Sequence, residues 1–458
     1  MRVLLISGNV ASTPYTVYPL GMSMIASSLR NAGHDVQQFD FLQSGMSMNA
    51  VAGAIRGHAP GIVGISIRNL DNCNLLNEKR YIDVIEDVVG RVRRETDAPV
   101  VLGGSGFSIM PETILQRVGA DYGIVGEGES LMVEFVANAT RGVYPEKRCI
   151  RGQSALRGGE IASADYDDQL MAFYLKNGNI APVQTKRGCT YCCAYCSYPI
   201  LEGSMIRCRN PKAVVDDIEG LAGKYNVGHV FFTDSVFNDE QGHYLEVVRE
   251  MKRRGVWISW SAFFRPDGLD DDAVRLMKET GLKSAEIGAD GATDTTLRML
   301  GKPFRFRDII ECNEVFARHG VATAHFYMFG CPGETGETVR EGIENVRGLR
   351  NTVSFIYMGV RILPRTPLAK VAEREGVVEG DQELLEPVYY LAPGIEREWL
   401  EKALTDGFAG LRHCVFPPDR LDASLQFLYR LGHSGFAWDM LIPGNEQARA
   451  RRRRRGGR

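Results

Sequence analysis

No stretch of this 458-residue chain is apolar for the ~20 residues that a membrane-crossing helix needs, and no leader of basic then apolar residues opens it. Charge of one sign is lacking too. With 54 Lys and Arg against 57 Asp and Glu, the formal net charge is −3, which leaves no broad basic face for nucleic acid. The run "RRRRRGG" at 451–457 is the exception, and as a terminal like-charge block it reads as a solvated, disordered tail. The ten cysteines are scattered rather than set out in the regular pairs of a small secreted scaffold. The expectation is a cytoplasmic protein without nucleic-acid partner or membrane span, in which a knot of thiols signals metal or catalysis before disulfide.

At ~150 residues per domain the length suggests two or three folded units. The first third alternates apolar runs with helical patterns: "VLLIS" (3–7), "LGMSMIASSLRNAG" (20–33), "IVGISI" (62–67), "YIDVIEDVVGRVRRE" (81–95) and "PVVLGG" (99–104). That alternation predicts an α/β, doubly wound, Rossmann-like parallel sheet over 1–145. Ligands of such sheets sit at the carboxyl ends of the strands. Three candidate stretches fall there: Ser66, Arg68 and Asn69; Gly103, Gly104, Ser105 and Gly106; Gly126 and Glu127. The glycines do not spell G-x-G-x-x-G, so a nucleotide-like tail across them and simple turns both remain open.

Residues 146–180 lose the pattern and are expected to connect. A second alternation follows, with "VFFTD" (230–234), "WISWSAFF" (257–264), "SAEIGAD" (284–290), "ATAHFYMFG" (322–330) and "SFIYMGVRIL" (354–363). Five or six parallel units fit a partial (β/α)6 barrel of TIM type over 181–370. Residues 371–458 read as a small, mostly helical C-terminal region with the arginine tail.

Between the two lies "TKRGCTYCCAYCSYPI" (185–200), with four cysteines in eight residues. A structural zinc site lacks its second cysteine pair. A redox pair of Cys189 and Cys192 leaves Cys193 and Cys196 without a role. A 4Fe–4S cluster on Cys189, Cys193 and Cys196 accounts for the spacing C-x3-C-x2-C and leaves one iron open to a cosubstrate. Spacing alone also allows Cys189, Cys192 and Cys196.

"RGCTYCCAYC" resembles the signature of radical S-adenosylmethionine enzymes, and "FFTDSVFN", "FFRPDGLDDD", "AEIGADG" and "FGCPGET" follow in that family's order. The resemblance implies the register Cys189, Cys193 and Cys196, with Tyr195 against the adenine of S-adenosylmethionine. It further implies that Asp234 and Ser235 accept from the amino group, that Arg265 pairs with the carboxylate, and that Glu286, Gly330, Pro332 and Gly333 lie near ribose and adenine. "YPLGMSMIASSLRNAGHDVQQFD", "GIVGISIR", "VVLGGSGFSIMPE" and "DYGIVGEGE" are similar to the cobalamin-binding domain that precedes the radical domain in one large class of these enzymes. The D-x-H-x-x-G loop is absent, and neither His34 nor His58 has the context of a cobalt ligand. The cofactors implied are a 4Fe–4S cluster, S-adenosylmethionine and cobalamin, with an electron donor such as flavodoxin or ferredoxin.

The implied activity is methylation of an unactivated carbon in a small or carrier-tethered biosynthetic intermediate. Rearrangement, cyclisation or epimerisation by the same cofactors is the alternative, with Cys331 as a hydrogen-atom donor or merely a buried thiol. A sensor without turnover is a further alternative. Nothing after residue 371 identifies the substrate, and the aromatics of "FLYRLGHSGFAWD" fit core packing as well as pocket lining.

Overall fold

The computed structural model describes residues 1–442, and the arginine run at 451–457 lies outside them. "RVLLIS" is buried at five of six positions, as a strand covered by helices on both faces must be. It forms β1 (Arg2–Ser7) of a six-stranded sheet with β2 (Asp35–Asp40), β3 (Ile62–Ser66), β4 (Val100–Gly103), β5 (Tyr122–Val125) and β6 (Cys149–Arg151). Every pairing is parallel and the order is β2-β1-β3-β4-β5-β6. Growth of the sheet reverses between β1 and β3, which opens a crevice at their carboxyl ends. The covering helices bury one stripe each; in Ile82–Glu95 it is Ile82, Ile85, Val88, Val89 and Val92.

Residues 146–180 are more than the connector expected. β6 extends the first sheet past residue 145, and Asp168–Lys176 forms a helix that buries Leu170, Met171 and Tyr174. Asp167 caps it, accepting from the backbone N–H groups of Gln169 and Leu170 at 3.0 Å each.

The second sheet begins with β7 (Ile180–Val183). After the short antiparallel pair β8 (Lys186–Arg187) and β9 (Arg207–Cys208) come β10 (His229–Phe232), β11 (Ser259–Phe264), β12 (Leu282–Asp290), β13 (Ala322–Phe329) and β14 (Thr352–Met358). Each strand lies beside its predecessor, in parallel, with helices between, so the sheet curls as a partial barrel. The region beyond 371 is mainly helical, but it also supplies β16 (Tyr389–Tyr390), paired with β15 (Val360–Arg361), and β17 (Cys414–Val415), which extends the barrel sheet beside β14.

Alternation sorts the barrel strands. Val230, Phe232, Trp260, Ala262, Ala285 and Ile287 pack outward under the helices. Phe231, Ala324, Val353 and Phe355 face inward, where Phe436 and Trp438 of the C-terminal segment join them. The Gly435 N–H donates to Gly178 O at 2.9 Å, and the Phe436 ring stands 5.3 Å from Phe231, so this segment fills the barrel from its open side.

Candidate active site at the domain seam

The cysteine loop, between β8 and β9, is held by what surrounds it. Ala194 N–H donates to Leu300 O, and Leu368 N–H donates to Ala194 O, both at 2.8 Å. Gly301, at φ +73°, lies so close that a Cβ there would stand 2.8 Å from Cys192 O. Cys189 and Cys193 are each 8% exposed and Cys196 is half-buried, whereas Cys192 is exposed. Burial raises the thiols of Cys189 and Cys193 and pushes Cys196 up to about 12, so a positive centre is needed to hold them as thiolates. Among the described residues, no three His, Cys, Asp or Glu side chains converge on a single ion. That disfavours mononuclear zinc, whose ligands crowd one point, but not ligands spread around a four-iron cube.

Two residues that sequence reasoning missed anchor the loop. β12 shifts register between Ile287 and Asp290, and Asp290 adopts φ +65°. Such bulges re-aim a side chain. The Asp290 carboxylate accepts from the Tyr195 hydroxyl at 2.6 Å and pairs closely with Lys302, whose ammonium lies 5.5 Å over the Tyr195 ring. On the far side, Tyr191 donates to Asp267 at 2.5 Å and lies 5.1 Å over the Arg265 guanidinium.

The other expected residues fall into two groups. At the strand ends, the Asp234 carboxylate is already engaged, accepting from Thr185 N–H at 2.7 Å, Thr185 Oγ1 at 2.5 Å and Lys186 N–H at 3.2 Å. It therefore fixes β8 and leaves little capacity for a ligand amino group. Ser235 donates to Glu202 at 3.2 Å, and Glu202 also accepts from Gly188 N–H at 3.0 Å. Arg265 pairs with Glu240 at 2.7 Å and Asp267 at 3.1 Å, yet its buried Nε has no partner. In "FGCPGE", Glu334 turns back to accept from the Gly330 N–H and from Cys331 N–H at 2.9 Å, so the turn is self-capped. Pro332 is buried and Gly333 sits at φ +74° against Met299. Cys331 is fully buried and donates to Met328 O at 3.1 Å, which places it in the core rather than in an open site. Glu286 stands apart. Glu286, Gly288 and Asp290 share the inward face of β12, so Glu286 lies about 13 Å down the strand from the loop's anchor.

Above the first sheet an open cleft of about 260 Å³ is lined by Ser66, Gly103, Gly104, Ser105, Gly126 and Glu127 of the expected set. Arg68 is exposed and Asn69 half-buried beside it, while Gly106 is buried, its N–H donating to Ile67 O at 2.9 Å. Gly104, at φ +97°, is forced: a Cβ would stand 2.5 Å from Ile67 O. Gly126, at φ +81°, faces the other domain, where a Cβ would point to Leu201 O at 3.8 Å. Ser108 ties the two glycine loops, donating to Gly104 O at 2.9 Å and accepting from Gly126 N–H at 2.8 Å. No histidine lines this cleft among the described residues. Its far wall belongs to the barrel domain, through Gln184, Arg187, Tyr198, Leu201 and Glu202. The seam is charged and buried: Arg187 pairs with Glu127 at 2.9 Å and Glu129 at 2.5 Å, and Arg207 with Glu127 at 2.8 Å. Against the cost of burial, Arg187, the Leu156 N–H and Arg207 hold the Glu127 carboxyl below its usual range.

The glycine cradle along the open cleft fits a planar cofactor approached by backbone, and the buried thiols fit a cluster. Comparison with known proteins agrees. The model of the B12 binding domain matches residues 6–136, and that of the radical SAM superfamily matches 183–346. Tryptophan 2-C-methyltransferase of Streptomyces laurentii is 26% identical over 98% of this chain and 89% of its own length. Anaerobic magnesium-protoporphyrin IX monomethyl ester cyclase of Rubrivivax gelatinosus is 23% identical, over 76% of this chain and 66% of its own. The structure of a radical S-adenosylmethionine methyltransferase from Kitasatospora setae, with cobalamin and a [4Fe-4S] cluster bound, superposes with a TM-score of 0.85 at 23% identity, covering 99% of both chains.

Proposed function

The chain belongs to the cobalamin-dependent radical S-adenosylmethionine enzymes, and on that premise we propose that it methylates a carbon atom of a small-molecule substrate. The observation that carries this reading is the shared cleft. The residues that follow the cysteine loop, Tyr198, Leu201 and Glu202, form the wall opposite Gly103, Gly104 and Gly126. A methyl carrier in the cleft and a cosubstrate at the loop then meet across one seam.

When bound, cobalamin carries the methyl group, S-adenosylmethionine supplies it and a radical, and the cluster delivers the electron. The chain's own part is to hold and exclude. Cys189, Cys193 and Cys196 would ligate the cluster, the burial of Cys189 and Cys193 keeping water from their sulfurs. Glu202 lines the seam and accepts from Ser235, whereas Asp234 is spent on Thr185 and Lys186, which supports Glu202 and Ser235 over Asp234 as partners of the cosubstrate's amino group. Tyr195, fixed through Asp290 and Lys302, offers a ring for the adenine. The glycine loops at 103–106 and 126–128 let the main chain approach a cofactor tail. Cobalamin in this cleft would lie against the main chain of the glycine loops and the Glu127 and Arg187 side chains. A one-electron donor such as flavodoxin or ferredoxin completes the system, and no helix among the described residues is long and apolar enough to cross a membrane.

The test is the product pair. With reductant and substrate, S-adenosylhomocysteine and 5′-deoxyadenosine are expected together, near one to one after the first cycle, with a methyl label from S-adenosylmethionine appearing in the product. The relationship to a cyclase gives the second reading its footing. Sustained conversion with 5′-deoxyadenosine and no S-adenosylhomocysteine would reject methyl transfer in favour of rearrangement.

A further inference from the structure

The cysteine loop stands at the carboxyl ends of the barrel strands, and the amino ends have no task so far. Large apolar side chains are exposed there. Trp257, two residues before β11, is 69% exposed, and Phe427 and Leu431 are 60% and 69% exposed. The helix Asp422–Arg430 that bears Phe427 turns Leu425 and Tyr429 into the protein, so it is apolar on its outer side as well as its inner one. It is seated at this end of the barrel. A Cβ on Gly178, two residues before β7, would lie 3.6 Å from the Tyr429 ring, and one on Gly228, just before β10, would lie 2.7 Å from Ser434 Oγ.

The charges at this end are unequal. Glu279 pairs with Lys252 and Asp168 with Lys224, each at 2.6 Å. Lys176, just before β7, Arg350, just before β14, and Arg430 are exposed and form no ion pair among the described residues. The last described residue, Ile442, follows the segment Ala437–Leu441, whose Ala437 N–H donates to the Tyr429 hydroxyl at 3.4 Å. Arg449 comes seven residues later, a reach of about 25 Å at most, and residues 449–458 hold seven arginines. Surplus cations set this face against a second copy of itself. A nucleic acid would answer the cations but offers no apolar layer to take Phe427 and Leu431. An anionic lipid surface offers both, since tryptophan and phenylalanine settle at headgroup depth and basic runs are drawn to the lipid phosphates. Either signal alone holds a protein weakly, whereas the two together hold it without a membrane span.

We propose that the amino end of the barrel is a docking face for an anionic lipid bilayer, with Trp257, Phe427 and Leu431 entering the headgroup layer and the arginines of 449–458 meeting the phosphates. The cysteine loop, at the opposite ends of the strands, is left clear. The proposal is independent of the methyl-transfer reading, because binding is measured without turnover. The experiment is cosedimentation of the anaerobically reconstituted full chain with vesicles of phosphatidylcholine alone and of phosphatidylcholine with about one-third phosphatidylglycerol. Partitioning onto the anionic vesicles is expected to exceed that onto the neutral ones at least tenfold, and to be lost at ~1 M salt, where charges are screened within about 3 Å. Phe427→Ser combined with Leu431→Ser should weaken it at least tenfold, with iron content and circular dichroism unchanged, and so should ending the chain at Ile442. If the double variant does not fold, Trp257→Ser takes its place. Equal partitioning onto both vesicles, none onto either, retention on DNA in place of vesicles, or a folded variant of either kind that sediments undiminished overturns the proposal.

Discussion

The cleft over the first sheet is walled by main chain, whereas the loop at the barrel mouth is held by charged and aromatic side chains. Gly104 and Gly126 make the cleft by what they lack, each taking a left-handed conformation that other residues rarely adopt. Tyr191, Tyr195, Asp290 and Lys302 make the loop by what they carry, in contacts that span up to 95 residues of sequence. A broad ligand with many weak contacts suits the first construction. A small cluster, whose sulfurs must be placed closely and kept dry, needs the second. The two sites therefore fail differently when residues change.

The largest expected effect separates them outright. Alanine at Cys189, Cys193 or Cys196 should abolish iron binding after anaerobic reconstitution, while the visible spectrum still reports cobalamin in the cleft. Cys192→Ala, changing an exposed thiol, should keep most of the iron. Iron lost with Cys192→Ala and kept with Cys193→Ala would reverse the register. Cobalamin lost with all of the cysteine variants would mean that the sites are not independent.

The seam comes next. Arg187 is 9% exposed in its side chain and serves Glu127 and Glu129 at once. Arg187→Met leaves two buried carboxylates short of a partner, for an expected loss of about 3–5 kcal/mol in unfolding free energy. Urea denaturation measures it, and adding Glu129→Gln to the same chain should recover part of the loss. A change under about 1 kcal/mol would place the seam among screened surface pairs and remove it as the clamp on the cleft.

The same contrast decides what was legible in the sequence. The cysteine spacing and the glycine loops are local signals, as are the strands "VLLIS", "IVGISI" and "SAEIGAD", each of which falls where the pattern put it. β6 and β17 have three and two residues, too few to show any period, and so the first sheet ran past its expected boundary and the C-terminal region gained strands. The Asp290–Lys302 anchor, the Arg187 clamp and the insertion of Phe436 and Trp438 into the barrel depend on tertiary register, which no window along the chain displays. Asp234 and Glu334 show the converse. Their motifs are visible, but whether a carboxylate is free or spent on the backbone is settled only by what folds against it.

Glu334 gives the smallest effect and the sharpest test of that last distinction. Its carboxyl is 4% exposed, and burial, opposed by the N–H groups of Cys331 and Gly330, raises its pKa from 4.5 to about 7. The native state thus holds the proton more tightly than the unfolded chain does. Stability from this group is fully present below pH 4.5, declines as pH rises toward 7, and is level above that. At 1.36 kcal/mol per pKa unit the decline amounts to about 3 kcal/mol. Glu334→Gln keeps an oxygen for the two N–H donors and cannot ionise, so the variant should gain on the wild-type protein by about that amount between pH 5 and pH 8. Paired urea curves at the two pH values measure the difference, in which the many exposed carboxyls cancel. A wild-type protein and variant that run parallel with pH would show that the carboxylate meets a cation or solvent in the native state, and the turn would return to the candidates for contact with the cosubstrate.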